Sequence, residues 1–371
     1  MASKTDPGDR RYMALAVALA KRGLGIVAPN PAVGCVIVKD GRIVGRGWTR
    51  PGGRPHAETE ALRRAGAAAR GATAYVSLEP CAHHGETPPC ADALVAAGIA
   101  RAVVAATDPD HRVNGRGIGR LEDAGIDVST GLLAAEAEEV NAGFFLRVRE
   151  GRPLVTLKLA TSLDGRIATH TGESRWITGE AARRFAHLLR ARHDAILVGA
   201  RTVAADDPEL TCRLPGLEAR SPVRIVVDGH LSLPLTAKLV ATAQTVPTVV
   251  ITLSNAPVER RRALEDLGLA LIDVEADSSG YIDMGDMLRK LGAHGITRVL
   301  CEGGAHVAAA LLRAGLVDRL AWFRAPIVIG GDGIPAAEAF GVDALTMARA
   351  FRWTGSRALG PDAMDAYVRA S

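Results

Sequence analysis

Apolar positions recur along this chain in two alternating rhythms, a helical one and a strand-like one, and the alternation sets the expected architecture. Tyr12 to Ala20 reads as a helix that stops near Gly23. Ala32 to Val38 and Ile43 to Trp48 read as strands flanking Lys39-Asp40-Gly41-Arg42, a hairpin with a glycine-containing turn. Ala57 to Ala69 is helical, with His56 at its beginning. Ala74 to Leu78 is a short apolar strand running into Glu79-Pro80, Cys90 opens a helix over Ala91 to Ala97, and Ala102 to Ala106 returns as a strand. Strands alternating with helices predict an α/β layer sandwich.

A second series begins after Arg149-Glu150-Gly151-Arg152-Pro153. Its candidate strands are 154–160, 195–198, 224–228, 247–252, 298–301 and 319–329, with helices near 179–191, 258–267, 284–291 and 305–313. The expectation is two joined α/β domains, 10–150 and 151–371, behind a loose polar tail over residues 1–9. The length of 371 residues suits two domains better than one core.

Composition narrows the function. Hydrophobic residues at 48% and charged residues at 23% are the balance of a globular enzyme. The net charge of +4 is modest, the arginines are scattered, and aromatics are only 4%, so the stacking platforms and basic runs of a nucleic-acid binder are missing. A small anionic metabolite fits better. Five cysteines, an odd and sparse set, do not read as a secreted disulfide framework, and no apolar run is long enough to span a bilayer. The cytoplasm is the expected compartment.

The chemistry concentrates in His56-Ala57-Glu58, followed by Pro80-Cys81 and Cys90. One imidazole and two thiolates make a three-ligand zinc set with an open fourth position. Water bound there ionises at a pKa of about 7. Glu58, kept off the metal, would take the water's proton and pass protons to a ring nitrogen and to departing ammonia, which is hydrolytic deamination. An isolated His-Ala-Glu is often coincidence; the order of the residues, Pro80 before the first cysteine and the strand-then-helix setting favour a catalytic metal. A closed structural site would need a fourth ligand, for which His83 or His84 can be nominated. Cys35, Cys212 and Cys301 read as core residues.

The run Pro80-Cys81-Ala-His-His-Gly-Glu-Thr-Pro-Pro-Cys90, preceded by Asn30-Pro31-Ala32-Val33-Gly34, closely resembles the bifunctional deaminase–reductase of bacterial riboflavin biosynthesis. The likeness runs through essentially the whole chain. It implies a cytidine-deaminase-like first domain that removes the 2-amino group of a phosphoribosylated diaminopyrimidinone. His56, Cys81 and Cys90 would then be the zinc ligands and Glu58 the proton shuttle, with Asn30 and His83 as substrate contacts. Two positions depart from the family: Glu86 replaces its usual Lys or Arg, and Asp108-Pro109-Asp110-His111 replaces Asp-Pro-Asn-Pro. Both add negative charge where a phosphate is expected, which predicts weaker or rearranged phosphate binding unless His111, Arg112 or Arg116 compensates.

Gly115-Arg-Gly117-Ile-Gly119-Arg120 imitates a dinucleotide fingerprint but lacks the final glycine and a following acidic strand, so it is rejected. Glu302-Gly303-Gly304, between strand 298–301 and helix 305–313, is the better phosphate cradle, although a Gly-Gly pair also makes a plain tight turn. Around it, Lys158 to Arg166, Glu173 to Thr178 and Asp206 to Arg213 look like the family's reductase motifs. The resemblance implies a dihydrofolate-reductase-like domain using NADPH to reduce the ribosyl group to a ribityl chain.

By that matching, Ala160, Trp176, Thr202, Asp206, Gly229 and the segment Gly304, Ala305, His306, Val307, Ala308, Ala309 and Ala310 would line the cofactor. Ser174, Arg190, Leu210, Arg213 and Glu302 would contact substrate, while Lys158 and Glu302 would assist imine formation and protonation. For single residues a plainer reading stays open: Trp176 as core, Lys158 and Arg190 as solvated charges, Asp206-Asp207-Pro208 as a capping turn. The family also implies a homo-oligomer, dimeric or higher, through the second domain. A nucleic-acid-base deaminase, for example on tRNA adenosine, is the other enzyme reading; the long Cys81–Cys90 loop and the reductase motifs count against it. A zinc-stabilised binding module is the third, and Glu58 has no purpose in it.

Overall fold

The computed structural model describes residues 7–83 and 88–370 and separates into two compact units that meet in sequence at Gly151 and Arg152. The first unit's strands are β1 (Gly34–Lys39), β2 (Arg42–Trp48), β3 (Thr73–Val76), β4 (Arg101–Val104) and β5 (Asp127–Thr130). They form one sheet in the order β2-β1-β3-β4-β5, with β1 antiparallel to both neighbours and β3, β4 and β5 parallel. Its helices are α1 (Pro7–Ala20), α2 (Ala57–Ala65), α3 (Cys90–Ala96), α4 (Arg116–Asp123), α5 (Ala134–Val140) and α6 (Ala142–Glu150).

The glycines show where the layers lie. A Cβ on Gly34 would fall 2.0 Å from the Ala16 carbonyl of α1, and one on Gly47 would fall 2.3 Å from the Ala57 carbonyl of α2. Cys35 stands opposite Gly47, so Gly34 and Gly47 point to opposite faces of the sheet. Hence α1 and α2 sandwich it, giving three layers. Gly45 repeats the close approach one step along β2, 2.3 Å from the Ala61 carbonyl. Two bare positions on β2 thus let the α2 backbone lie directly on the strand.

The expected loose tail is corrected in part. Pro7, Gly8 and Asp9 belong to α1. Asp9 is buried, gripped by two bonds of 2.9 Å from the Arg101 guanidinium and one of 2.7 Å from the Tyr75 hydroxyl. A carboxylate answered in this way belongs inside a fold, whatever its polar neighbours in sequence. Residues 1–6 lie outside the described residues.

The second unit is built on β6 (Leu154–Thr161), β7 (Arg166–Ala168), β8 (Ala195–Gly199), β9 (Val223–Val227), β10 (Thr248–Leu253), β11 (Ala270–Val274), β12 (Arg298–Gly303), β13 (Arg319–Arg324), β14 (Ile334–Pro335), β15 (Phe351–Leu359) and β16 (Asp362–Arg369). Nine of these form a sheet in the order β11-β10-β9-β8-β12-β6-β13-β16-β15, parallel from β11 to β13 and antiparallel beyond. Strands β7 and β14 pair separately. The intervening helices are α7 (Glu180–Arg190), α8 (Ala200–Asp206), α9 (Lys238–Ala241), α10 (Val258–Asp266), α11 (Met284–Ala293) and α12 (Ala305–Arg313). The expected strand 319–329 ends at Arg324; Leu163, in the turn after β6, takes up the Ile327 carbonyl at 2.8 Å.

The α2–β2 contact generates a prediction. Gly47→Ala forces α2 off the strand and drags His56 with it. Overpacking of this kind costs about 1–3 kcal/mol. The variant should therefore melt earlier in calorimetry and bind substoichiometric zinc by elemental analysis, while binding NADPH normally.

Candidate functional site: a three-ligand metal centre and a carboxylate-anchored groove

In the first unit, His56 caps the start of α2, Cys90 opens α3, and Cys81 lies in the loop that returns from β3. His56 Nδ1 sits 3.3 Å from Cys90 Sγ and 3.7 Å from Cys81 Sγ, and the three donor atoms all lie within 4.8 Å of one another. The Cys90 amide points at Cys81 Sγ from 3.3 Å. The Cys90 thiol, the His56 ring and that amide together outweigh burial and hold the Cys81 thiol down at about 4, so it is a thiolate at neutral pH. A soft anion, a second thiol and an imidazole aimed at one point fit zinc.

Glu58, in the first turn of α2, is 3% exposed, and burial pushes its carboxyl up to about 7. Asn30 lies against the backbone of Gly53, where a Cβ would fall 1.9 Å from its Nδ2; Gly53 also has φ +86°, so only glycine suits that spot. His83 has its Nδ1 buried and without a hydrogen-bond partner among the described residues. His84 and Glu86 lie outside the described residues.

Asp110 proves to be locally neutralised. Its carboxylate takes bonds from the Arg112 amide at 2.9 Å, from Nε at 3.0 Å and from Nη2 at 2.6 Å, and the Arg112 guanidinium holds it down at about 2. Of the three compensators named from sequence, Arg112 bonds this charge directly and His111 Nδ1 stands 3.7 Å from it. The Gly115–Gly119 run that imitates a dinucleotide loop leads into and forms the first turns of α4.

In the second unit the register sets Cys301 of β12 opposite Leu157 of β6, which brings Glu302 beside Lys158. Their charged atoms stand 3.9 Å apart. Arg190, the last residue of α7, forks onto Glu302 through Nε at 2.7 Å and Nη2 at 2.9 Å, and donates through Nη1 to the Thr211 carbonyl at 2.9 Å. Neither Lys158 nor Arg190 is a solvated charge, since their side chains are 17% and 13% exposed. Against the upward push of burial, Arg190 and then Lys158 carry Glu302 down to about 2. Burial lowers Lys158, with Glu302 opposing.

His187, one turn before Arg190, was missed from sequence. Its Nδ1 lies 3.1 Å from the Thr211 carbonyl and 3.2 Å from the Arg213 amide. Arg213 itself pairs with Glu209 at 2.8 Å on an exposed surface, and Leu210 is buried.

A groove of about 540 Å³ in the second unit has Thr202, Gly229, Gly304, His306, Val307 and Ala310 among its walls. Ala305, Ala308 and Ala309 are buried, and Ala308 faces the core beneath α12. Ala160, Trp176 and Asp206 are not among the groove's walls. Trp176 is not core: it is 70% exposed, with the Arg183 guanidinium 4.6 Å from its ring centroid. Ser174 is half-buried nearby in sequence. The Asp206 carbonyl accepts from Arg175.

Comparison with known proteins matches both halves. Residues 7–106 fit the cytidine and deoxycytidylate deaminase zinc-binding region, and residues 153–364 fit the RibD C-terminal domain. The riboflavin biosynthesis protein RibD of Escherichia coli K12 is 45% identical over 365 residues, 95% of this chain and 97% of its own length. This chain belongs to the RibD family. The solved structure of Acinetobacter baumannii RibD, form 1, superimposes with a TM-score of 0.89 at 39% identity, covering 98% of this chain and 99% of that one. A Thermotoga maritima diaminohydroxyphosphoribosylaminopyrimidine deaminase/5-amino-6-(5-phosphoribosylamino)uracil reductase gives 0.85 at 33% identity over 98% and 99%. As a RibD-family member the chain is a bifunctional deaminase and reductase of riboflavin biosynthesis, with zinc and NADPH as its cofactors. Among the described residues, no helix is long and apolar enough to cross a membrane.

The Glu302–Arg190 fork predicts a pH dependence. A carboxyl at about 2 in the folded state, against 4.5 ordinarily, stabilises the protein above about pH 4.5 and loses that contribution as pH falls toward 2. The contribution is on the order of 3 kcal/mol. Urea unfolding followed by peptide-resolved hydrogen exchange should show β6 and β12 weakening over that window, and Glu302→Gln should flatten this part of the acid limb.

Proposed function

We propose that the two units act in sequence on one phosphorylated pyrimidine. The first hydrolyses the 2-amino group of 2,5-diamino-6-(5-phosphoribosylamino)pyrimidin-4-one with release of ammonia. The second reduces the ribosyl group of the product at C1′ to give the 5-phosphoribitylamino uracil. When bound, zinc supplies a Lewis acid that ionises water near neutrality, and NADPH supplies hydride. The observation that best supports the reading is the convergence of His56 Nδ1 and both thiol sulfurs next to a carboxyl that burial pushes up to about 7.

His56, Cys81 and Cys90 hold the metal. Glu58, with a carboxyl near the operating pH, takes a proton from the attacking water and delivers it to the ring nitrogen. It then takes the proton of the hydroxyl now on the carbon and delivers it to the departing amine, which leaves as ammonia. Asn30 and the spare Nδ1 of His83 orient the pyrimidine by hydrogen bonds.

In the second unit Thr202, Gly229 and the start of α12 at Gly304 receive the dinucleotide, whose phosphates lie at a helix N-terminus. Ser174, Leu210 and Arg213 bound the substrate, with Arg213 suited to its phosphate. Reduction needs the sugar open: the C1′–O4′ bond breaks, O4′ gains a proton, and the nitrogen lone pair makes C1′ an iminium carbon that hydride can attack. We assign that proton to Lys158, with Glu302, fixed by Arg190, keeping the ammonium charged; the 3.9 Å between Lys158 Nζ and Glu302 supports this reading. We also assign self-association to the second unit, where Val328, Leu345 and Trp353 are exposed; light scattering of the whole protein tests it.

Two variants test the proposal on the intact protein. Glu58→Gln should keep one zinc per chain while ammonia release falls by at least ~10³-fold, and it should still reduce the deaminated intermediate with NADPH. Lys158→Met should do the reverse, accumulating the deaminated product by mass spectrometry. Deamination surviving in Glu58→Gln would overturn the first assignment; a two-hydrogen mass gain at the normal rate in Lys158→Met would overturn the second.

A further inference from the structure

Glu79 precedes the metal-ligand loop and is 3% exposed. The charged and polar groups answering it are backbone amides. Oε2 accepts from the amides of Asp108 at 3.2 Å and Gly115 at 3.0 Å; Oε1 accepts from those of Gly117 at 2.9 Å and Ile118 at 3.3 Å. All four donors belong to one segment, residues 108–118, which runs from the end of β4 into α4. A buried carboxylate costs several kcal/mol unless hydrogen-bonded, so this segment is held to Glu79 by the charge it satisfies.

The same segment leans on the metal-ligand loop. Gly117 lies so near Pro80 that a Cβ there would fall 1.9 Å from the Pro80 carbonyl oxygen, and Glu79's own amide donates to Ala106 at 2.9 Å. Beyond Glu79 the ordering propagates by short steps: Asp108 Oδ1 accepts the Asp110 amide at 2.9 Å, and Asp110 Oδ1 accepts the Arg112 amide at 2.9 Å. The outer side of the segment carries exposed Arg112 and Arg116.

We propose that Glu79 is a positioning residue for deamination, fixing the 108–118 segment against Pro80 so that its exposed arginines, Arg112 and Arg116, hold the phosphorylated end of the substrate. The inference rests on the deaminase reading above. Glu79 touches neither substrate nor metal; it acts through the segment. Glu79→Gln is nearly isosteric but turns one pair of acceptor contacts into N–H facing N–H, so the segment must lift while the metal ligands, which Glu79 does not contact, stay in place.

The test uses full-length, zinc-loaded protein and compares the phosphorylated diaminopyrimidinone with its dephosphorylated nucleoside. Loss of bonds to a charged group at this site should raise KM for the phosphorylated substrate at least ~10-fold in Glu79→Gln, with KM for the nucleoside changed less than ~2-fold. Zinc per chain and reductase turnover should match wild type, and Glu79→Asp, which keeps both acceptor oxygens, should fall between. Equal loss on both substrates, loss of zinc, or a lower melting temperature with unchanged KM would each overturn the proposal. Wild-type protein that releases no ammonia from either substrate would instead sink the deaminase reading itself.

Discussion

What each buried carboxylate in this chain can do depends on what answers its charge. An ionised acid out of water is untenable alone, and the fold offers three different answers. Glu302 is met by the Arg190 fork and by Lys158, so it stays ionised and serves as a fixed negative anchor. Glu79 is met by four amides and becomes a structural clamp. For Glu58 burial outweighs the opposing pull of the His56 ring, and its proton is held loosely enough to be exchanged near neutral pH. The same functional group is thus an anchor, a clamp and a shuttle, and the difference lies wholly in its neighbours.

Those neighbours are placed by backbone geometry before any side chain is chosen. Glu58 and His56 ride on the start of α2, and α2 reaches its place because β2 is bare at Gly45 and Gly47. Glu302 meets Lys158 because β12 and β6 pair in parallel with Cys301 opposite Leu157. Arg190 meets Glu302 because α7 ends there, with its cation at the negative end of the helix dipole.

The parts of this arrangement that depend on local order were legible in the sequence. His56, Glu58, Cys81 and Cys90 are read from spacing, and the β1–β2 hairpin and the α12 start at Gly304 from turn chemistry and periodicity. The parts fixed by distant pairing were not. Asp9 looked like tail because its partners, Tyr75 and Arg101, are far along the chain. Helix α4 was hidden by its glycines, of which Gly117 suits the close approach to Pro80, and Glu79 showed no signal because amides carry no sequence signature. Strands β15 and β16 were overlooked because β15 is an edge strand, exposed over most of its length, so its pattern lacks a buried face. Arg190 read as one basic residue among several until the partner strand supplied Glu302.

The departure at Asp110 is best understood in the same terms. An acid at this position adds charge to the sequence but is answered locally, because three N–H groups of Arg112, two residues away, donate to it. Such a pair is nearly neutral at distances beyond its own size, whereas the arginine retains N–H groups directed outward from a 59% exposed side chain. The charge argument drawn from composition alone therefore overstates the repulsion at Asp110, since it counts the acid and omits the geometry that cancels it.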